Sequence, residues 1–525
     1  MFGPSLILLL VSLTPPITAV TVGPTVDLSV GNADIAPDGL SRSSVLAGGT
    51  FPGPVIRGTK GDRFLINVTD NLVDTNQDVV TTIHWHGFFQ HGTNWADGVD
   101  AVTQCPIIPG NSFLYNFTVP DQAGDYWYHS HYQAQYCDGL RGAFIVDDPA
   151  DPQAHLYDVD NETTIITLAD WYHYFSTQAG DHPNVDVSST LINGLGRANA
   201  SSTAPLAVVN VRRNTRYRLR IISMSCDPNF LFSIDKHQLQ IIAVDGENVQ
   251  PHLVDSIQVF AAQRYSVVLN ANQPVNNYWI RALRNYENAS FTGGQSSAIL
   301  RYAGAPISEP APSSQNLGHL LSETELHPLD NPNAPGTPGQ GRADINLVLS
   351  PTFNFESLEY EVNGVTFLPP SVPVLLQILS GNMPPQSLLP GGSVIQLDLN
   401  KTVEIAFPVD NTTVAGPHPI HLHGHSFSVV RSAGQNGYNY QNPVRRDTVS
   451  LGATGDNVTI RFETDNPGPW FIHCHIDWHL ERGFAVVLAE GVPETSSTVV
   501  PPPAWSALCP AYNAFQEQAN NVTQG

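Results

Sequence analysis

The chain of 525 residues carries 23 Lys and Arg against 47 Asp and Glu, for a formal net charge of −24. So acidic a balance argues against a nucleic-acid binder, which needs a basic footprint, and against adsorption to anionic membranes. With 41% hydrophobic and 13% charged residues the chain has material for packed cores and too little charge for disorder, and its length suggests about three or four domains.

Taken in order, the chain opens on an apolar run, Leu6 to Leu13, that ends near Pro15 and Pro16. Ile17-Thr18-Ala19 follows as a small-residue cleavage site. The run is too short to span a bilayer, so residues 1–19 read as a secretory signal and the protein as extracellular. Asn-x-Ser/Thr sites at Asn67, Asn116, Asn161, Asn199, Asn288, Asn400, Asn411, Asn457 and Asn521 agree with secretion and predict glycosylation.

Short alternating runs follow, including Phe64 to Val68, Tyr217 to Ile222, Tyr265 to Leu269 and Val458 to Phe462. They are bounded by Gly, Pro, Asn and Asp, and no long stretch holds a helical period. The fold class is therefore all-β, built of sandwich domains. Pro149 to Pro152 reads as one linker and Pro306 to about Gly341 as a longer one. They divide the chain into a first domain over 20–150, a second over 151–320, and a third with a C-terminal tail over 321–525. Gly61-Asp62 with Val68-Thr69 is echoed by Gly455-Asp456-Asn457-Val458-Thr459-Ile460, and histidine pairs follow each. The second domain has no such pairs, so domains one and three read as related units sharing a site, with domain two as a spacer.

Ten of the 19 histidines fall in four clusters: His84-Trp85-His86, His129-Ser130-His131, His418 with His421 and His423, and His473 and His475 with His479. Residues i and i+2 of a strand share a face, so each His-x-His offers two imidazoles side by side. Four pairs give eight imidazoles, too many for one metal and suited to a cluster of about three. Cys474 lies between His473 and His475 and points to the opposite face. With His418 and His479 it forms a two-His, one-Cys set, the blue-copper arrangement. One strand would then touch a single copper on one side and a cluster on the other, about 10 Å apart. The position about ten residues after the cysteine, where a weak axial Met is expected, is Phe484. That predicts a three-coordinate copper of raised reduction potential. Cys105, Cys137, Cys226 and Cys509 remain, and four cysteines allow three pairings.

These segments resemble the multicopper oxidases, and among them the secreted fungal laccases. The resemblance rests on His84-Trp85-His86-Gly87, Trp127-Tyr128-His129-Ser130-His131, His418 to His425 and His473 to His479. Gly92 to Gly98 and Tyr136 to Gly142 match as well, and the likeness covers nearly the whole chain after residue 19. It implies three cupredoxin-like Greek-key β-sandwich domains with a trinuclear site between the first and third. It implies four copper ions: a type 1 copper on His418, Cys474 and His479, and a type 2 copper on His84 and His421. One type 3 copper would sit on His86, His129 and His475, and the other on His131, His423 and His473.

The resemblance further implies disulfides Cys105–Cys509 and Cys137–Cys226. It makes His479 the route by which electrons arrive, Asp227 a proton acceptor in the substrate pocket, and Asp97 a proton donor near the cluster. Phe353 and Tyr286 are expected to line the pocket. The implied reaction is one-electron oxidation of phenols or aromatic amines coupled to four-electron reduction of O₂ to water, in lignin or phenolic degradation, by a monomer. Another multicopper oxidase, a ferroxidase or an ascorbate oxidase, is the alternative reading; a copper-storage protein and a zinc hydrolase are remoter ones. His425 is expected to support the ligands beside it at most. His91, His155, His173, His182, His237, His252, His319 and His327 read as structural or surface residues.

Overall fold

A computed structural model describes residues 20–179, 186–381 and 384–523, so the expected signal segment lies outside the described residues. The fold is all-β, as the alternating runs predict. Strand Arg63–Asn71 shows how: alternate residues face inward, placing Phe64, Ile66, Val68 and Asp70 in the core. It lies in a four-stranded sheet of order Arg42–Ala47, Thr25–Ile35, Arg63–Asn71, Ser112–Thr118. The facing sheet has the order Thr21–Val22, Gly53–Thr59, Arg141–Asp147, Gly124–Ser130, Ile83–His86. Phe64 meets Phe144 edge-on between the two layers, and Trp85 joins the same core.

A seven-stranded and a five-stranded sheet form a second sandwich between Ile165 and Tyr302. Two five-stranded sheets form a third between Ile345 and Glu490. The segment between the last two sandwiches contains one short helical turn, Glu323–Glu325, and no strand. The architecture is three cupredoxin-like sandwiches. Among the described residues, no helix is long and apolar enough to cross a membrane.

One feature departs from the sequence reading. The tail forms a 16-residue helix, Leu508–Thr523, which the sequence reading did not expect. Leu508, Cys509 and Tyr512 pack on the core of the first sandwich. Leu508, Tyr512, Phe515 and Ala519 recur at spacings of four, three and four, a short helical period set among Gln, Glu and Asn. A bond from Cys105 to Cys509 fastens this helix, and Cys137 is bonded to Cys226, joining the first and second sandwiches. Cys474 is the free cysteine and is buried.

Candidate metal centre

Strand register assembles the histidines. Ile83–His86 pairs antiparallel with Gly124–Ser130 so that His84 lies opposite His129. In the third sandwich, Pro419–Leu422 pairs with Gly468–Cys474, setting His421 opposite His473 and Ile420 opposite Cys474. Alternation then sends His473 to one face and the Cys474 thiol to the other.

On the thiol face, Cys474 Sγ lies 3.5 Å from His418 Nδ1 and 3.7 Å from His479 Nδ1, and the two nitrogens are 3.1 Å apart. Three ligand atoms converging at this spacing suit one ion with bonds of about 2.0–2.3 Å. All three residues are buried. Burial pushes the Cys474 thiol far above its ordinary range, a cost that a bound cation offsets. Burial likewise lowers His418 to about 4.

Aromatic rings wall this centre. Tyr360 sits 4.6 Å from the His479 ring and 5.6 Å from that of His418, and stacks on Phe484 at 5.1 Å. Phe484 is itself 5.1 Å from His418 and offers no donor atom. Phe353 is buried behind Tyr360 and does not line the surface, whereas Tyr286 is 64% exposed. Asp227 is partly exposed at the turn after Cys226, and its amide bonds Asp170. Burial, then the Asp170 carboxylate, raises its carboxyl to about 7. The carbonyl of Cys226, just before Asp227, accepts the Asp477 amide at 2.9 Å, which sets this turn against the segment that carries Cys474 and His479.

On the other face eight imidazoles crowd together. His131, His423 and His473 bring ligand atoms within 4.8 Å of one another, as do His84, His421 and His423, and His84, His86 and His129. His475 lies 5.0 Å from His86 and 5.3 Å from His129, ring to ring. The tautomers are set from behind. The Nδ1–H of His84, His129, His421 and His473 donates to the carbonyls of Asp97, Ser130, Asp447 and Cys474 at 2.7–2.9 Å. His423 Nδ1 donates to Asp97 Oδ2 at 2.9 Å. Each Nε2 is thereby left with a lone pair.

The Nε2 atoms of His84, His86, His129, His131, His421 and His475 are buried without a hydrogen-bond partner. Buried polar atoms are rarely left so, and this cluster needs a cation to satisfy them. Burial first, and then the neighbouring imidazoles, hold His86, His129, His131, His421 and His423 far below the ordinary range, in the neutral form that binds metal.

Asp97 itself is placed by a tight approach: Gly98 takes φ +83°, and any Cβ there would collide with the Ile83 carbonyl. The sequence reading missed Asp447, which lies 3.4 Å from His86 Nε2 and is gripped by Arg264 at 2.6 and 2.7 Å. It also missed Tyr136, whose hydroxyl lies 3.4 Å from His475 Nδ1, and Tyr360. His425 bonds the His423 carbonyl and pairs with Glu490 at 3.0 Å. Of the glycosylation sites, Asn199, Asn288, Asn400, Asn411 and Asn521 are exposed, and Asn67, Asn116, Asn161 and Asn457 are half-buried.

Three family models described as multicopper oxidase match this chain, over residues 29–151, 162–305 and 367–494. A laccase of Pycnoporus cinnabarinus is 56% identical over 94% of this chain and 95% of its own. A laccase of Trametes hirsuta is 55% identical over 97% and 98%. Among solved structures, Fet3p, a multicopper oxidase that functions in iron import, superposes with a TM-score of 0.80 at 27% identity, over 94% of this chain and 95% of that one. The laccase of Botrytis aclada gives 0.79 at 32% identity, over 96% and 93%.

Proposed function

The chain belongs to the multicopper oxidases and has the activity of a laccase; on that premise we propose which of its residues do the work. His418, Cys474 and His479 would hold one copper and His84 with His421 a second. His86, His129 and His475 would hold a third, and His131, His423 and His473 a fourth. Copper bound there supplies one-electron oxidation of phenolic or aromatic-amine substrates on the thiol side and four-electron reduction of O₂ to water on the imidazole side.

One observation supports this reading above all. His473, Cys474 and His475 are consecutive residues that face two separate donor clusters, so one stretch of backbone connects them. A storage protein has no need of such a link. Tyr360 and Phe484 pack over His418 and keep that side apolar and dry. Asp227 receives the proton that a phenol loses as it is oxidised: its carboxyl, raised to about 7, takes up a proton readily. Asp97 orients His84 and His423, and delivers protons toward oxygen being reduced.

We read the protein as a secreted monomer acting on lignin or related phenolics, cleaved after residue 19 and folded as units 20–150, 151–320 and 321–525. The test is oxygen uptake by the copper-loaded enzyme with a methoxyphenol, Fe(II) and ascorbate in parallel. The reading expects the phenol to be turned over most efficiently. Faster turnover of Fe(II) or ascorbate would replace it with a ferroxidase or an ascorbate oxidase.

A further inference from the structure

His252 and His319, which the sequence gives no reason to single out, converge with Glu325, and none of the three is among the eleven residues above. His252 stands on strand Glu247–Val254 at the edge of the seven-stranded sheet. His319 comes from the segment leading to the third sandwich, and its backbone is clamped. Its amide donates to Asp255 Oδ2 at 2.8 Å, and its carbonyl accepts the amides of Asp255 and Ser256 at 2.9 and 3.2 Å. Glu325 closes the turn Glu323–Glu325, where its Oε2 accepts the Ser322 amide at 3.1 Å. All three side chains are therefore presented from fixed backbone.

Their polar atoms meet. His319 Nε2 lies 3.0 Å from Glu325 Oε1 and 3.2 Å from Oε2, and His252 Nε2 lies 3.4 Å from Oε2. The two rings stand edge to face with centroids 5.9 Å apart. His252 Nε2 is shielded from solvent yet makes no hydrogen bond. Around a tetrahedral ion with bonds of about 2.0–2.2 Å, neighbouring ligand atoms fall about 3.3–3.5 Å apart, close to the spacings here. As ion pairs alone, side chains exposed by 29%, 47% and 33% would contribute little, and a single histidine would suffice.

We infer that His252, His319 and Glu325 form a separate site for one divalent transition-metal ion, with a fourth position open to solvent. Two imidazoles and a carboxylate suit zinc or copper(II). The ion would staple the connecting segment to the second sandwich. Glu323, in the same turn, pairs with Arg446 of the third sandwich at 2.8 Å, so the staple would sit at the joint between the two.

The copper-loaded enzyme, dialysed against zinc chloride at neutral pH and then freed of excess metal, decides the matter by elemental analysis. One zinc per chain should remain, with copper content and phenol turnover unchanged. His252→Ala and His319→Ala should each lose that zinc and keep their copper and turnover. Zinc should raise the melting temperature of the wild type and of neither variant. The inference is overturned if the wild type retains no zinc, if both variants retain as much, or if zinc enters only by displacing copper.

Discussion

Asp97 and His423 are 326 residues apart in the chain, yet the carboxylate of one accepts the ring N–H of the other at 2.9 Å. The same aspartate offers its carbonyl to His84 at 2.7 Å. One side chain of the first sandwich thus aims an imidazole of the third, and the cluster exists only while the two sandwiches are docked.

Asp97→Ala should therefore loosen the imidazole cluster and spare the thiol centre. Partners that orient metal-bound histidines typically matter by about 10- to 100-fold in affinity or activity. The expected outcome is oxygen uptake reduced by about that factor, with copper lost from the cluster and the colour of the thiol centre retained. Loss of both signals together would mean that Asp97 serves the fold alone.

Desolvation at its turn, and then the Asp170 carboxylate, raise the Asp227 carboxyl to about 7. Its proton-accepting, ionised form grows as pH rises through that value. For a phenol, kcat/KM should climb with pH and level off above about 7. Asp227→Asn should remove that limb and lower phenol turnover by up to about a hundredfold. A substrate that gives up an electron without a proton should show neither effect, and equal losses for both substrates would exclude the proton-acceptor role.

Asp70 faces the core of the first sandwich, and burial lifts its carboxyl to about 7 despite the Leu72 amide it accepts. Unfolded, it titrates near about 3.9. A raised folded value means that its favourable contribution is complete below about pH 4 and drains away as pH rises through about 7. Asp70→Asn should then melt near the wild-type temperature at pH 4 and progressively above it toward pH 7. A gap that stays constant with pH would show that the carboxyl does not titrate in the folded protein.

Phe484 stacks on Tyr360 and packs on His418, and under the proposed assignment it would stand where an axial ligand could reach the copper. Phe484→Met puts a thioether there, and a weak axial sulfur lowers the potential of such a centre. Redox titration of the visible band should give a lower midpoint than the wild type. An unchanged midpoint would mean that the new side chain does not reach the metal.

Much of the site was legible because strands have a period of two. His84 with His86, His473 with His475, and the opposite direction of Cys474 all follow from that alone. What escaped depends on contacts between segments far apart in the chain, which no local period encodes. Asp447 is held by Arg264 across 183 residues, and Tyr360 reaches His479 from a separate two-stranded ribbon. His252 and His319 escaped for the same reason: each stands alone in its own segment, and only backbone bonds from His319 to Asp255 and Ser256 bring the two segments together. The tail helix was passed over because its apolar residues, Leu508, Tyr512, Phe515 and Ala519, form only a short period among Gln, Glu and Asn. Phe353 was expected to line the pocket from the resemblance; its ring is buried and packs on Tyr360.

The central claim is that Cys474 belongs to one copper centre while its two neighbours serve another. The direct measurement is the visible spectrum and copper content of the wild type beside Cys474→Ser. The wild type should be blue with about four coppers per chain, and the variant colourless with about three, having lost phenol oxidation. A variant that keeps the blue band, or oxidises phenol at the wild-type rate, would contradict the assignment of Cys474 and the path it provides.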